Sequence, residues 1–240
     1  MLTVRFLLLR RRTIYLSLAT VIFAALLATL AVADYLDELD LAAAPGQPTA
    51  PPAGDLSLKI NIVKRTLEVH AAGRLYKTYR VAVGKSKTPT PFGEWKIVWK
   101  DYNWGSGFGT RWMGLNVPWG IYGIHGTNKP WSIGSFASHG CIRMRNRDVE
   151  ELFEWVKIGT PVIIEGGRTK VNRPLKIKTA GPDVVLVQIR LKELGYLDAR
   201  ADGIFGLVTE EAVKRFQAEN NLEPDGIVDR ETLAALGLKP

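Results

Sequence analysis

The stretch HGTNKPWSIGSFASHGCIRM, residues 125–144, holds two of the chain's three histidines and its only cysteine. A single cysteine has no partner for a disulfide within its own chain. A lone Cys with His nearby is typical of a thiolate nucleophile and its base, here Cys141 and either His125 or His139. The alternative is a cysteine that serves as a small buried apolar residue. The combination of His and Cys favours the catalytic interpretation.

The residues alone leave two histidines open as the base. His139 lies two positions before Cys141, so in an extended chain their side chains share a face. His125 follows the apolar run IYGI, which predicts a strand, and the carbonyl of Gly126 is placed to orient its second ring nitrogen. A zinc site built from His125, His139 and Cys141 is a third hypothesis, but the sequence supplies neither a fourth ligand nor a paired Cys.

Other residues around Cys141 are candidates for binding substrate. Gly140 leaves room for backbone N–H groups to point at a developing oxyanion. Arg143 is a candidate for holding a substrate carboxylate in a bidentate pair. Ser138 and Trp131 complete the candidate substrate-binding set. Trp131 is also one of four tryptophans in Gly-rich sequence that we expect to line a cleft, the others being Trp104, Trp112 and Trp119.

Residues 56–166 predict a mainly β domain with one helix. Apolar residues alternate with polar ones in short runs such as LSLKI, residues 56–60, which is typical of strands. The segment TPTPFGEW, residues 88–95, predicts a loop that enters another strand. The helix is expected to start with Asn146 as its N-cap, to end by Gly159, and to be followed by the strand PVIIE.

Residues 167–179 predict a linker, and residues 180–240 predict a small all-α domain of three helices. Thr209 and Asp229 are the expected caps of the second and third helices. Two loops repeat the tripeptide Asp-Gly-Ile, at 202–204 and 225–227, each with a threonine seven residues after the Asp. This region has no His or Cys, so we expect it to bind a partner rather than to react.

The N-terminus predicts export. Residues 1–33 carry four arginines and no acid, and the uncharged run from Thr13 to Ala33 is long enough to cross a bilayer as a helix. Two interpretations stay open, a cleaved signal peptide ending at Ala31-Val32-Ala33 and a retained membrane anchor. Residues 34–55, rich in Ala and Pro, predict a linker. The remaining domains are then expected outside the cytoplasmic membrane.

The net charge of +8 is unevenly distributed. Residues 56–179 carry 21 Lys and Arg against 8 Asp and Glu, whereas residues 180–240 carry 7 against 11. A basic domain outside the cell indicates an anionic partner, such as a wall polymer or the membrane surface. We expect no nucleic-acid partner there. The alternative is a basic surface that is simply solvated.

At this point the residues resemble a known family. IHGT followed by SHGCIRM is similar to the signature of the L,D-transpeptidases of the YkuD type, and TPTPFGEW is similar to that family's Thr-Pro-x-Gly segment. The resemblance covers about residues 56–165 and implies an L,D-transpeptidase-like mixed β fold. Residues 183–237 resemble the three-helix type of peptidoglycan-binding domain.

The family resemblance implies specific roles. It makes His125 the base, oriented by the Gly126 carbonyl, and it places the backbone N–H groups of His139, Gly140 and Cys141 in the oxyanion hole. It implies that Cys141 attacks the third residue of a peptidoglycan stem peptide and releases D-alanine. A neighbouring stem amine then resolves the thioester into a 3→3 cross-link. It implies no cofactor. We also expect no metal, since the peptidoglycan-binding region has no His.

Several alternatives stay open. Water would make the protein an L,D-carboxypeptidase, and an amine on another protein or on a free D-amino acid would give other products. A different class is a non-catalytic wall-binding protein, which the pairing of a nucleophile with a base disfavours. The expected location is the cell wall or periplasm of a bacterium, either anchored or secreted. Deleting residues 180–240 is expected to weaken wall binding and to spare chemistry on small substrates.

Overall fold

The structure is a computed structural model that describes residue 28, residues 50–102 and residues 104–239. The predicted signal peptide or anchor, and nearly all of the linker at 34–55, lie outside these residues. No helix formed by the described residues is both long enough and apolar enough to cross a membrane. From residue 50 onward the described chain forms one compact unit.

The β region, residues 56–166, is built from short strands and one α-helix, which confirms the predicted class. Its strands are β1 (Leu56–Asn61), β2 (Thr66–Ala71), β3 (Arg74–Arg80), β4 (Val83–Gly84), β5 (Gly93–Tyr102), β6 (Arg111–Leu115), β7 (Tyr122–His125), β8 (Phe136–Ser138), β9 (Ile142–Arg143) and β10 (Pro161–Glu165). The helix is α1 (Asn146–Trp155), and a 3₁₀ turn covers Pro130–Ser132.

Eight of these strands form one mixed sheet in the order β3-β2-β1-β10-β5-β6-β7-β9, and β4 pairs with β8. Within the eight-stranded sheet the pairs β1–β10 and β7–β9 are parallel and the other neighbours are antiparallel. The separate β4–β8 pair is also parallel. The predicted alternation holds where it was clearest, since Leu58 and Ile60 on β1 are fully buried. They share a core with Val149 and Leu152 of α1. Strands β7 and β9 lie at one edge of this sheet, and the candidate site described below lies at that edge.

The start of α1 differs from the prediction. Arg145 occupies the N-cap position and makes no capping bond through its side chain, whereas Asn146 is already the first helical residue. The Asn146 side chain is engaged elsewhere, because its Oδ1 accepts a hydrogen bond of 3.0 Å from the backbone N–H of Thr127. The tertiary contact replaces the local cap, and it ties the helix to the segment that follows His125.

The helical region, residues 180–239, contains three helices as predicted: α2 (Pro182–Glu193), α3 (Leu207–Glu219) and α4 (Arg230–Ala235). Asp229 caps α4, as expected, with its carboxylate accepting from Thr232 N–H at 2.8 Å. The expected cap at Thr209 is wrong. Gly206 is the N-cap of α3, and Thr209 lies inside the first turn, where it is buried.

Thr209 belongs to a hydrogen-bond network that the repeated loops share. The buried Gln188 donates through Nε2 to Thr209 Oγ1 and to Ile204 O, both at 3.1 Å, and its Oε1 accepts from Gly203 N–H at 2.8 Å. The buried Gln217 repeats the set in the second loop, with Thr232 (3.2 Å), Ile227 (2.9 Å) and Gly226 (2.8 Å). Each buried amide is satisfied, so each loop is held in one conformation.

The helical region packs directly on the β region. Val185 of α2 and Ala201 are fully buried and belong to the core of the β sheet, while the helical region also has an apolar core of its own. The N–H of Glu94 on β5 donates to Ala201 O at 2.9 Å, and the Glu94 carboxylate pairs with Lys192 at 2.7 Å. Residues 180–239 therefore hold a fixed position against the sheet.

Candidate active site

The β7–β9 pairing brings the two ends of the stretch 125–144 together. In this parallel pair Ile124 lies opposite Ile142 and His125 opposite Arg143, so Cys141 enters the sheet edge beside Gly123. His125, Ser138, His139, Cys141 and Arg143 line one cavity of about 380 Å³. The topology therefore converts a separation of sixteen residues in sequence into a shared pocket.

His125 is buried and its ring is fixed from two directions. Its side chain is only 2% exposed, and Nδ1 donates to the Gly126 carbonyl at 2.5 Å. A carbonyl only accepts, so the proton sits on Nδ1 and Nε2 is left with its lone pair. The ring of Trp112 stacks on the imidazole at 5.5 Å between centroids, and Phe108 meets it edge-on at 4.9 Å.

This environment makes His125 a neutral imidazole at neutral pH. Burial lowers its pKa from 6.5 to about 4. The backbone carbonyls of Gly126 and Phe108 oppose this shift, and the charge of Arg143 adds to it. A ring that carries no charge and has Nε2 unprotonated is in the state that a general base requires.

Steric crowding explains why residue 126 is glycine. A Cβ placed there would come within 2.3 Å of Asn146 Oδ1 and within 3.1 Å of the backbone nitrogen of Thr110. The same Asn146 oxygen accepts from Thr127. The segment after His125 is therefore pressed against the start of α1, which fixes the carbonyl that orients the imidazole.

The Cys141 thiol is also neutral at rest. Burial raises its pKa above the ordinary range, while a backbone hydrogen bond from Gly123 and the charge of Arg143 act in the opposite direction. Since burial disfavours both the thiolate and the imidazolium, the resting pair is thiol and imidazole. Any proton transfer from this thiol to this imidazole would therefore have to accompany attack on an electrophile rather than precede it.

Ser138 organises the turn that carries the thiol. Its fully buried side chain donates through Oγ to Cys141 O at 2.6 Å and accepts from Gly140 N–H at 3.0 Å. Gly140 has φ +114°, and a Cβ there would lie 2.6 Å from a ring carbon of Tyr122. Position 140 therefore admits only glycine.

The hydrogen bonds of Ser138 determine which of the predicted oxyanion donors has a free N–H group. The Gly140 N–H already has Ser138 Oγ as its acceptor. Within the described ranges, the backbone N–H groups of His139 and Cys141 have no acceptor. The geometry thus makes His139 and Cys141 the available donors, and it gives the Gly140 N–H a role in holding the turn.

Arg143 supplies positive charge to the cavity. Its backbone pairs with Ala82, through Arg143 N–H to Ala82 O at 2.8 Å and Ala82 N–H to Arg143 O at 2.9 Å. Its side-chain Nε is buried and has no hydrogen-bond partner. A buried guanidinium nitrogen without an acceptor is suited to an incoming carboxylate or carbonyl oxygen.

The expected tryptophan cleft is assembled in part. Trp104 and Trp112 line the cavity at Cys141, and Trp119 lines a larger groove of about 1040 Å³ that meets this cavity at the exposed His139. Trp131 lines neither of them. It is 68% exposed on the 3₁₀ turn, so the structure does not bring it to the other candidates.

Sequence reasoning missed Phe108 and Tyr122. Phe108 packs on His125, and Tyr122 packs over Gly140 and lines the larger groove. The glycines at 105, 107 and 109 around Phe108 were an available signal of a tight loop. The described residues contain no group of three or more His, Cys, Asp or Glu side chains arranged to hold a metal ion.

Two family models match the chain. Residues 56–164 match the L,D-transpeptidase catalytic domain, YkuD, and residues 180–236 match the model described as "Putative peptidoglycan binding domain". Among solved structures, the catalytic domain of an E. faecium L,D-transpeptidase is 25% identical with a TM-score of 0.41, over 47% of this chain and 98% of that one.

Curated relatives extend the match. "Putative L,D-transpeptidase YkuD" of Bacillus licheniformis is 50% identical over 107 residues, which are 45% of this chain and 64% of the relative. The chain thus spans slightly less than two thirds of that protein. "Putative L,D-transpeptidase YqjB" of Bacillus subtilis is 37% identical over 129 residues, 48% of this chain and 73% of the relative. Together with the catalytic-domain match, this relative shows that the chain belongs to the L,D-transpeptidase family of the YkuD type.

Proposed function

We propose that this protein is a cysteine L,D-transpeptidase that cross-links peptidoglycan outside the cytoplasmic membrane. The observation that carries the proposal is the pairing of Cys141 with a buried His125 whose Nδ1 is committed to the Gly126 carbonyl. That arrangement leaves Nε2 as a base in the same cavity as the thiol. The family membership and the peptidoglycan-binding match supply the substrate class.

The first half-reaction forms a thioester. Cys141 Sγ attacks the carbonyl carbon of the third stem residue, and the thiol proton passes to His125 Nε2. The N–H groups of His139 and Cys141 donate to the oxyanion. As the tetrahedral intermediate collapses, the C–N bond to the terminal D-alanine breaks, and its amine leaves with the proton from His125.

The second half-reaction transfers the acyl group. The amine of the third residue of a neighbouring stem attacks the thioester carbonyl and gives its proton to His125 Nε2. The C–S bond breaks, the sulfur recovers that proton, and a 3→3 cross-link remains. Arg143 holds a substrate oxygen in the cavity, since its Nε lacks any other partner.

The domain organisation follows from this function. Residues 56–166 are the catalytic domain and residues 180–240 bind peptidoglycan, with 167–179 joining them. Residues 1–33 export or anchor the protein, and 34–55 act as a spacer. Ser138 acts through the turn it holds, and Trp131 keeps only the role of a distal substrate contact.

The test is incubation of the purified protein with disaccharide-tetrapeptide, followed by mass spectrometry. The expected products are dimers lacking one D-alanine, and the intact enzyme should gain the mass of a disaccharide-tripeptide acyl group. Cys141→Ala abolishes both signals. Tripeptide monomers without dimers would instead establish a carboxypeptidase, and no reaction at all would refute the enzymatic proposal.

The choice of base has its own test. His125→Ala should remove nearly all turnover, whereas His139→Ala should leave measurable turnover because the backbone N–H of position 139 remains. Thioester formation, followed by intact mass over time, measures both variants. Equal losses in the two variants would contradict the assignment of His125.

A further inference from the structure

Strand β6 places Trp112 directly opposite His125 of β7. Residues opposite each other in an antiparallel pair point to the same face of the sheet, so their side chains are neighbours. The indole is fully buried and lies nearly parallel to the imidazole, with 22° between the two planes and 5.5 Å between the ring centroids. Trp112 thus covers one face of the ring whose Nε2 is the proposed base.

Two glycines make the space in which this indole lies. Gly114 and Gly123 are also opposite each other, two positions further along the same pair of strands, and hence on the same face of the sheet as Trp112. A Cβ on Gly123 would lie 2.6 Å from a carbon of the indole, and a Cβ on Gly114 would lie 3.1 Å from its Nε1. Side chains at these positions would displace the indole, so the glycine pair keeps this space open.

Further aromatic residues pack against the same indole. The ring centroids of Trp104 and Trp99 lie 4.0 Å and 6.2 Å from it, and Phe108 meets it edge-on at 5.3 Å. Phe108 also contacts the imidazole edge-on, at 4.9 Å. A ring that is packed on several sides has little freedom to tilt, because side chains in protein interiors are close-packed. The indole is therefore a fixed wall beside His125.

The buried N–H of Trp112 indicates that packing alone does not account for tryptophan at this position. Among the described residues, its Nε1 has no hydrogen-bond partner. A buried donor without an acceptor destabilises a fold, and phenylalanine would fill much of the same space without that cost. Tryptophan offers instead a larger flat apolar surface, and the observed geometry lays that surface on the imidazole.

An aromatic face can act on a neighbouring imidazole in two opposite ways. By excluding water it disfavours the imidazolium form, which lowers the pKa of the histidine. By attracting a cation to its π electrons it favours that form, which raises the pKa. His125 is only 2% exposed and its pKa is lowered to about 4, with burial as the largest cause. Exclusion of water is therefore the stronger effect at this ring.

We propose that Trp112 is a positioning residue for the base, because its indole excludes water from one face of the His125 imidazole and holds the ring in place. The inference rests on the proposed function, in which His125 is the base. The Gly126 carbonyl fixes which ring nitrogen carries the proton, whereas Trp112 sets how readily the other nitrogen gains one. The two contacts act at different parts of the imidazole, one at Nδ1 and the other on the ring face.

The experiment measures the pKa of His125 directly, apart from turnover. Full-length protein with ¹³C-labelled histidine is titrated by NMR, and the His125 signal is assigned by its absence from His125→Gln. Because Trp112 lines the cavity at Cys141, Trp112→Ala admits water to the imidazole, and the pKa of His125 should rise from about 4 by about 1 or more. In Trp112→Phe an aromatic ring still covers the imidazole, so the pKa should stay within about 0.5 of the parent value.

The pH dependence of thioester formation is a second measurement on the same variants. Its acid limb should move to higher pH in Trp112→Ala by the amount that the pKa of His125 rises, because a protonated Nε2 accepts no proton from the thiol. A purely structural role would lower the rate at every pH and leave the limb where it is. Trp112→Phe should restore the position of the limb.

The matched control is Trp155→Ala, at another buried tryptophan, whose edge-on ring partner is Tyr76 of β3 rather than His125. This change should lower the Tm and leave the pKa of His125 unmoved. If Trp112→Ala does not fold, Trp112→Leu takes its place, because leucine retains more of the buried volume and still uncovers part of the imidazole. It should raise the pKa of His125 in the same direction.

The outcomes separate this inference from the proposed function. A pKa of His125 that stays unchanged without the indole would refute the inference, and so would an equal rise in Trp155→Ala. A fall in the pKa would also refute it, because the attraction of the imidazolium to the indole would then outweigh the exclusion of water. A raised pKa in Trp112→Ala together with a parent protein that forms no thioester would support the role of Trp112 and refute the transpeptidase proposal. An unchanged pKa together with thioester formation by the parent would do the reverse.

Discussion

Replacing Gly203 by alanine tests whether the helical region is locked to the β region through Trp119. The chain carries its own control, because Gly226 occupies the same place in the second repeated loop. Both glycines have a positive φ, +69° at Gly203 and +78° at Gly226, and both donate their N–H to a buried glutamine at 2.8 Å. They differ in what a new methyl group would meet.

The expected magnitudes follow from those surroundings. An alanine with left-handed backbone dihedrals costs roughly 1–2 kcal/mol at either position. At Gly226 the methyl group approaches Glu210 Cγ at 2.7 Å and Lys214 Cε at 2.9 Å, which are parts of flexible side chains that can move aside. At Gly203 it lies 2.4 Å from the Trp119 ring and 2.8 Å from Val185, so overpacking adds about 1–3 kcal/mol.

Urea denaturation monitored by tryptophan fluorescence measures both variants. We expect Gly203→Ala to lower the free energy of unfolding by about 2 kcal/mol more than Gly226→Ala does, equivalent to a further drop in Tm of about 4–8 °C. Equal destabilisation by the two changes would refute the reasoning.

Four further predictions concern the site and its support. The profile of kcat/KM against pH should have its acid limb near pH 4 because burial lowers the pKa of His125, and a limb near 6.5 would contradict this. The same shift means that the unfolded chain binds the proton first, so stability should fall by about 3 kcal/mol as pH drops from about 6.5 to about 4, measured by urea unfolding. Ser138→Ala should lower the free energy of unfolding by about 2 kcal/mol and reduce thioester formation, because the two hydrogen bonds that hold the Cys141 turn are lost. The control is Ser135→Ala, which removes the hydroxyl of an exposed serine. Truncation after Thr179 should reduce both thermal stability and activity on small substrates, since it uncovers Trp119 and removes Val185 from the shared core; a truncated protein with full activity would refute this.

The sequence predicts the structure well where local propensity and tertiary packing favour the same arrangement. Alternation in LSLKI places Leu58 and Ile60 in the core, and Asp229 caps α4 through its carboxylate, which accepts from Thr232 N–H. The stretch 125–144 also predicts the main residues of the site, since five of its residues line one cavity. The specific roles of those residues stay predictions until they are tested.

The sequence predicts local structure less well where a polar side chain bonds to a partner that is distant along the chain. Asn146 and Thr209 both look like helix caps, yet Thr127 and Gln188 take their oxygens. No local rule reports such competition, because the partners lie 19 and 21 residues away along the chain. The sequence alone led us to expect that deleting residues 180–240 would spare chemistry on small substrates. The structure changes that expectation, because Val185 belongs to the core of the sheet, and composition, which predicts a linker at 167–179, does not reveal this contact.

The two glutamine networks also bear on how this architecture evolves. Each repeated loop is held by a glutamine of the helical region, and that region has an apolar core of its own. The contacts that define its shape therefore lie within the region itself. Its orientation, by contrast, depends on a few contacts at one loop and one helix, chiefly at Ala201, Gly203 and Lys192. Substitutions at those positions would change how the helical region sits against the β region. If the proposed function holds, the orientation of the peptidoglycan-binding region relative to the thiol is therefore a property that selection can adjust through these few contacts.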